Sequence, residues 1–176
     1  MDEKKYPQIK SHGDGNPPWC FRFLGANSVF ENGVLVFHPE NITIGSGVYV
    51  GHQTILKGYF KNEMIIGDGC WIGPQCFFHS AGNIIIGKNV GIGPGVKIIT
   101  STHDIYVETD LPIMQRPLVF DKVVLGDGCD IGVNALILPG VTLGNNVQVG
   151  AGAVVTRSFP DKAVIAGLPA RLLHQI

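Results

Sequence analysis

The sequence predicts an all-β fold, a narrow parallel β-helix whose coils stack into a triangular prism. Three observations predict it. Aliphatic–glycine dipeptides recur in couples six residues apart: Ile44–Gly45 with Val50–Gly51, Ile66–Gly67 with Ile72–Gly73, Ile86–Gly87 with Ile92–Gly93, Leu125–Gly126 with Ile131–Gly132, and Leu143–Gly144 with Val149–Gly150. Successive couples begin 22, 20, 39 and 18 residues apart, which is one 18-residue coil with insertions of 4, 2 and 21. Four residues after each aliphatic stands a small or β-branched residue, from Val48 and Thr54 to Val147 and Ala153. Two inward positions per six residues, one large and one small, suit a tight coil of three flat faces, and a fixed period marks a solenoid. Five full coils and a partial first one, stacked at about 4.8 Å, give a prism roughly 25–30 Å tall. The glycine after each aliphatic is expected at a corner that needs positive φ.

The elements follow in order. Residues 1–25 form an N-terminal extended segment, polar and then rich in Gly and Pro. Within it Trp19, Phe21 and Phe23 alternate and are expected to pack a short strand over the end of the body. Residues 29–37, VFENGVLVF, read as two short strands around an Asn-Gly turn. The β-helix occupies residues 26–160, with a protruding loop at 100–120. Cys70, Cys76 and Cys129 fall on the small inward register, where a free thiol behaves as a compact apolar group. Residues 161–176 form a C-terminal cap. Pro160 and Pro169 break any further coil, and a short helix at residues 170–175 is expected to cover the open strand edges.

Composition narrows the function. Thirteen basic and 14 acidic residues leave a formal charge of −1, without the basic surplus of a nucleic-acid binder. No apolar run approaches the roughly 18 residues of a membrane span. The opening MDEKKYPQIK has no apolar stretch after its charges and does not read as a secretory signal. Four cysteines without paired spacing suit reduced thiols in a cytoplasmic protein. Only 15% of residues are charged, with a mean hydropathy of +0.23, so the surface is expected to be buried further in an oligomer.

Residues 98–120 are the one long stretch where the repeat stops. Charges and prolines appear there, and His103 sits near its start. An imidazole, with a reference pKa of about 6.5, takes a proton from a hydroxyl near neutral pH. The period places His79 beneath Ile99 and Ser80 beneath Thr100, close to the base of the loop. His79 reads either as an acceptor-orienting group or as a turn histidine bonded to backbone. Asp104, Tyr106, Glu108 and Asp110 supply polar groups to the loop, for a substrate or for solubility.

The loop histidine in TSTHD, the ladder VLGDGCDIGVNALILPGVTLGNNVQVGAGAVVTRSFP and the closing AGLPARLL resemble the hexapeptide-repeat O-acetyltransferases, across about residues 42–173. That group includes galactoside, maltose, xenobiotic and polysaccharide acetyltransferases. The resemblance implies a left-handed helix, a homotrimer and acetyl-CoA lying in the groove between subunits. It implies His103 as general base and a main-chain oxyanion donor near Val133, although Val133 is not the serine of some relatives, with Gly132 and Val133 among the cofactor-binding residues. Ala151, Thr156 and Arg157 would line the pantetheine and phosphate channel, with Arg171 near the nucleotide phosphates; both arginines also read as surface charge. His79, Asp104 and Tyr106 would face a sugar or glycan acceptor. No metal is expected.

Other readings are an N-acetyltransferase acting on a nucleotide-linked amino sugar, a non-enzymatic β-helix scaffold, and a γ-type carbonic anhydrase. The anhydrase needs three histidines around zinc. Its second histidine, five residues after the first, is replaced here by Glu108.

Overall fold

The structure is a computed structural model and describes residues 13–176. These form a parallel β-helix of three sheets, as the period predicts, consistent with the left-handed winding that the resemblance implies. The first face stacks Phe23–Leu24, Ile42–Ile44, Met64–Ile66, Ile84–Ile86, Val123–Leu125 and Thr142–Leu143. The second face runs from Val29–Phe30 through Tyr49–Val50, Trp71–Ile72, Gly91–Ile92, Asp130–Ile131 and Gln148–Val149 into a C-terminal hairpin. The third stacks Leu35–Phe37, Ile55–Lys57, Phe77–His79, Lys97–Ile99, Leu136–Ile137 and Val154–Val155. The first coil, expected to be partial, is therefore complete. Its strands Val29–Phe30 and Leu35–Phe37 flank the Asn32–Gly33 turn but belong to different faces, each pairing with the next coil.

The inward registers hold. Val48, Thr54, Cys70, Cys76, Val90, Val96, Cys129, Ala135, Val147 and Ala153 are all buried, beneath the larger Ile and Val of each face. The three inward thiols are buried in the core, and each also donates its S–H to the carbonyl of a repeat glycine, Gly87, Gly93 or Gly144, at 3.1–3.3 Å. Burial pushes Cys70 and Cys129 above the usual thiol range and Cys76 up to about 11. Cys20 is exposed.

The role expected of the repeat glycines is corrected. None of the glycines that follow an aliphatic has positive φ; that conformation falls two residues later, at Gly47, Gly69, Asn89 and Asn134 among others. Glycine is required after the aliphatic because the next coil passes directly over it. A β-carbon on Gly93 would lie 2.8 Å from the Val133 nitrogen, and one on Gly132 would lie 2.5 Å from the Ala151 nitrogen. Both neighbours are backbone and cannot yield.

At the N-terminal end, Trp19, Phe21 and Phe30 form a ring cluster with centroids 5.4–6.0 Å apart, packed on the core. Phe23 starts the first strand but points its ring outward, 56% exposed. Residues 1–12 of the expected leader lie outside the described residues.

The expected C-terminal helix is replaced by a strand. Ala170–Gln175 pairs antiparallel with Ala163–Gly167 and completes the second face. Six residues are too few to nucleate a stable helix in isolation. Along the edge of a sheet the same six find backbone partners that the last coil leaves open. No helix among the described residues is long and apolar enough to cross a membrane.

Candidate active site

All three insertions of the period fall at one corner, between the third face and the first. Residues 58–63, 80–83 and 100–122 occupy it in consecutive coils. They touch one another. The Tyr59 ring lies 5.9 Å from His79 and 6.1 Å from Phe120, centroid to centroid. Asn62 donates its side-chain amide to the Ala81 carbonyl. The buried Thr100 hydroxyl donates to the His79 carbonyl at 2.6 Å and accepts the Gly82 N–H at 2.8 Å. Its carbonyl accepts the Asp121 N–H at 3.0 Å, so Thr100 ties both ends of the long loop to the insertion below. Tyr59, Thr100 and Phe120 had no part in the site expected from sequence. The signal was present, because insertions of 4, 2 and 21 all enter the same slot of the period.

The long loop is an arm rather than a free coil. Ser101–His103 pairs antiparallel with Leu118–Phe120, and the Asp104 N–H donates to the Pro117 carbonyl at 2.8 Å. His103 ends the outgoing strand, half-buried. Its Nδ1 lies 3.1 Å from the Arg116 carbonyl oxygen. A carbonyl only accepts, so Nδ1 is the donor, and in the neutral ring Nε2 carries the lone pair. Thr102, His103, Asp104, Ile105, Tyr106, Val119 and Asp121 line a hollow of about 300 Å³. His103, Asp104 and Tyr106, singled out separately in the sequence, thus share one cavity. Asp104 also accepts the Tyr106 N–H at 2.8 Å, so its carboxylate shapes the turn. His79 pairs with Ile99, as the period places it.

The remaining candidates divide between the two edges of the third face. Thr156 and Arg157 follow the strand Val154–Val155 and share the edge of Thr100, two coils or about 9.6 Å away. The Arg157 guanidinium lies 5.2 Å from the Phe159 ring centre. Gly132, Val133 and Ala151 stand on the opposite edge, where the second face turns into the third. Arg171 pairs with Ala166 above that edge and donates Nη1 to the Ala170 carbonyl at 3.1 Å. The Gly132 N–H is committed to the Val149 carbonyl at 2.8 Å. In the two coils below, the residue after the corner glycine is Pro74 or Pro94, which has no N–H. Val133 and Ala151 restore that N–H, and among the described residues neither donates it to a partner. No group of three or more His, Cys, Asp or Glu among the described residues is placed to hold a metal.

Residues 122–157, the two coils beyond the arm, match the family model described as the hexapeptide repeat of succinyl-transferase. An inferred O-acetyl transferase of lipopolysaccharide biosynthesis from Escherichia coli is 30% identical over 142 residues, 77% of this chain and 69% of that protein. This chain belongs to the hexapeptide-repeat acetyltransferase family. An inferred acetyltransferase of Saccharomyces cerevisiae is 33% identical over 138 residues, 78% of this chain. The match spans only 61% of the yeast protein's length. Another family member, the galactoside O-acetyltransferase of Escherichia coli, is 28% identical over 70% of this chain and 68% of its own. The fold also matches that of a point mutant of AntD, an N-acyltransferase from Bacillus cereus, solved with dTDP-4-amino-4,6-dideoxyglucose and coenzyme A. There the TM-score is 0.79 at 23% identity, over 88% of this chain and 84% of the other.

Proposed function

We propose that the protein transfers an acetyl group from acetyl-CoA to a hydroxyl of a sugar or polysaccharide precursor, with His103 as general base. The observation that carries this reading is the imidazole itself: its Nδ1 is fixed by the Arg116 carbonyl, and it lines the hollow of the arm. Nε2 takes the proton of the acceptor hydroxyl as its oxygen attacks the thioester carbonyl. The carbon–sulfur bond then breaks, and the imidazolium returns the proton to the departing thiolate. Base catalysis of this kind contributes about 10²–10⁴ in rate. The unpartnered Val133 N–H is suited to the oxyanion of the tetrahedral intermediate. Arg157 and Arg171 supply positive charge for the phosphates of CoA.

His103 and Val133 lie on opposite edges of the third face, so one chain alone does not bring them together. We propose a homotrimer in which the arm edge of one copy meets the Val133 edge of its neighbour. The arm exposes Ile105 (61%), Tyr106 (91%) and Met114 (79%), apolar surface suited to burial against another copy. The galactoside enzyme and the lipopolysaccharide relative favour a saccharide hydroxyl over an amine as acceptor.

The test is CoA release from acetyl-CoA in the presence of simple galactosides, glucosides and nucleotide-linked amino sugars. Turnover with a glycoside, lost in His103→Ala, supports the reading. Turnover confined to the amino sugars overturns the acceptor class, and normal turnover by His103→Ala overturns the base. Acetyl-CoA also raises the melting temperature of the wild type, since it binds only the folded state.

A further inference from the structure

The outer surface of the second face carries a ladder with a missing rung. In register along the stack stand Val29, Tyr49, Trp71, Gly91, Asp130, Gln148 and Val164. Tyr49 and Trp71 stack face to face, with ring centroids 5.7 Å apart and planes 6° apart. The opposite face of the indole therefore looks toward Gly91, and Trp71 remains 46% exposed.

Nothing in the backbone asks for glycine at 91. Every other glycine among the described residues has either positive φ or a neighbour within 3.0 Å of an added β-carbon. Gly91 has neither; a β-carbon there meets only the Asp130 carboxylate, at 3.5 Å. It lies inside a strand, Gly91–Ile92, where glycine costs stability relative to a residue with a side chain. What glycine provides at this point is space. The result is a slot floored by the Gly91 backbone, with an indole face on one wall and a carboxylate on the other. The Gln148 amide stands 3.5 Å from Asp130 Oδ2.

We propose that this slot is a saccharide subsite that holds one pyranose ring of a neutral glycan, away from the hollow beside His103. Two strand spacings, about 9.6 Å, separate the Trp71 and Asp130 strands. A ring seated midway lies in stacking range of the indole, and its edge hydroxyls reach an acceptor-only carboxylate. The same carboxylate repels phosphate, which disfavours a nucleotide or CoA in the slot. A subsite here would anchor a remote unit of the acceptor; its ligand class, though not its geometry, rests on the sugar-acceptor reading above.

The probes are maltohexaose, cellohexaose, and hexasaccharides from a galactan and a mannan, titrated into the full chain without acetyl-CoA. The readouts are the Gly91 amide resonance and the emission of Trp71, assigned with Trp71→Phe. At least one probe is expected to shift the amide and quench the emission saturably. Gly91→Val, whose β-carbon meets no backbone atom and whose branches fill the slot, is expected to weaken that binding about tenfold or more. Its melting temperature is expected to equal or exceed that of the wild type, and its acetyl-CoA binding to be unchanged. Three results overturn the subsite: no probe moves the Gly91 amide up to about 10 mM, Gly91→Val binds as the wild type does, or Gly91→Val changes the sedimenting mass. The last would make this face a contact between copies. Because acetyl transfer is absent from the measurement, failure of the subsite leaves the His103 chemistry standing, and failure of that chemistry leaves the subsite standing.

Discussion

The His103 ring is aimed by a main-chain oxygen, that of Arg116, 3.1 Å from Nδ1 on the returning half of the same arm. A carbonyl fixes the tautomer while adding no formal charge. If Nε2 is the base, His103→Ala lowers kcat about 10²–10⁴-fold and leaves KM for acetyl-CoA near its wild-type value. Added imidazole restores part of the rate. A matching rise in KM would instead mean that the ring binds the thioester.

Thr100 carries the arm. Its hydroxyl satisfies the His79 carbonyl and the Gly82 N–H, and it is fully buried. Thr100→Val keeps the shape and removes both hydrogen bonds. It is expected to cost about 1–3 kcal/mol of stability, read from denaturant unfolding. Thr100→Ser, which keeps the hydroxyl, recovers most of that loss. Activity falls with the valine variant even at temperatures where it is folded, because the take-off of the arm is loosened.

The glycines separate into two classes that a melting experiment distinguishes. Gly132→Ala drives a methyl into the Ala151 backbone nitrogen and is expected to destabilise by about 1–3 kcal/mol. Gly91→Ala meets no backbone, and a strand prefers alanine to glycine. It should leave the melting temperature unchanged or raise it, by the equivalent of about 0.5–1 kcal/mol. If both variants melt alike, coil contact is not what selects glycine at position 132.

The buried thiols make the fold sensitive to alkali. Burial keeps Cys76 protonated in the folded chain up to about 11, while in the unfolded chain it ionises near 9. The folded pKa is the higher one, so this contribution is complete below about pH 9 and is lost as pH rises toward 11. Its size is about 2–3 kcal/mol at most. Unfolding free energy measured between pH 8 and pH 11 should fall less steeply in Cys76→Ala than in the wild type. At neutral pH a thiol reagent should label Cys20 quickly and the other three cysteines only on unfolding.

What the sequence by itself determined is whatever repeats. Side-chain size alternating along six-residue steps decides which residues face inward, and Val48, Cys76 and Ala153 are buried as that alternation requires. The same regularity makes the one long break visible, and with it His103. The tertiary structure decided what depends on residues far apart in the chain. A turn of 18 residues brings separate insertions over one another, so Tyr59, His79 and Phe120 meet although 61 positions separate the first from the last. The glycine after each aliphatic answers to the coil stacked on it, not to its own φ. The last six residues of the C-terminal hairpin lie as a strand because an open sheet edge offers hydrogen bonds that a helix so short cannot match. Division of the proposed site between two edges of one face has the same origin: period fixes where a side chain points, and only stacking fixes what stands beside it.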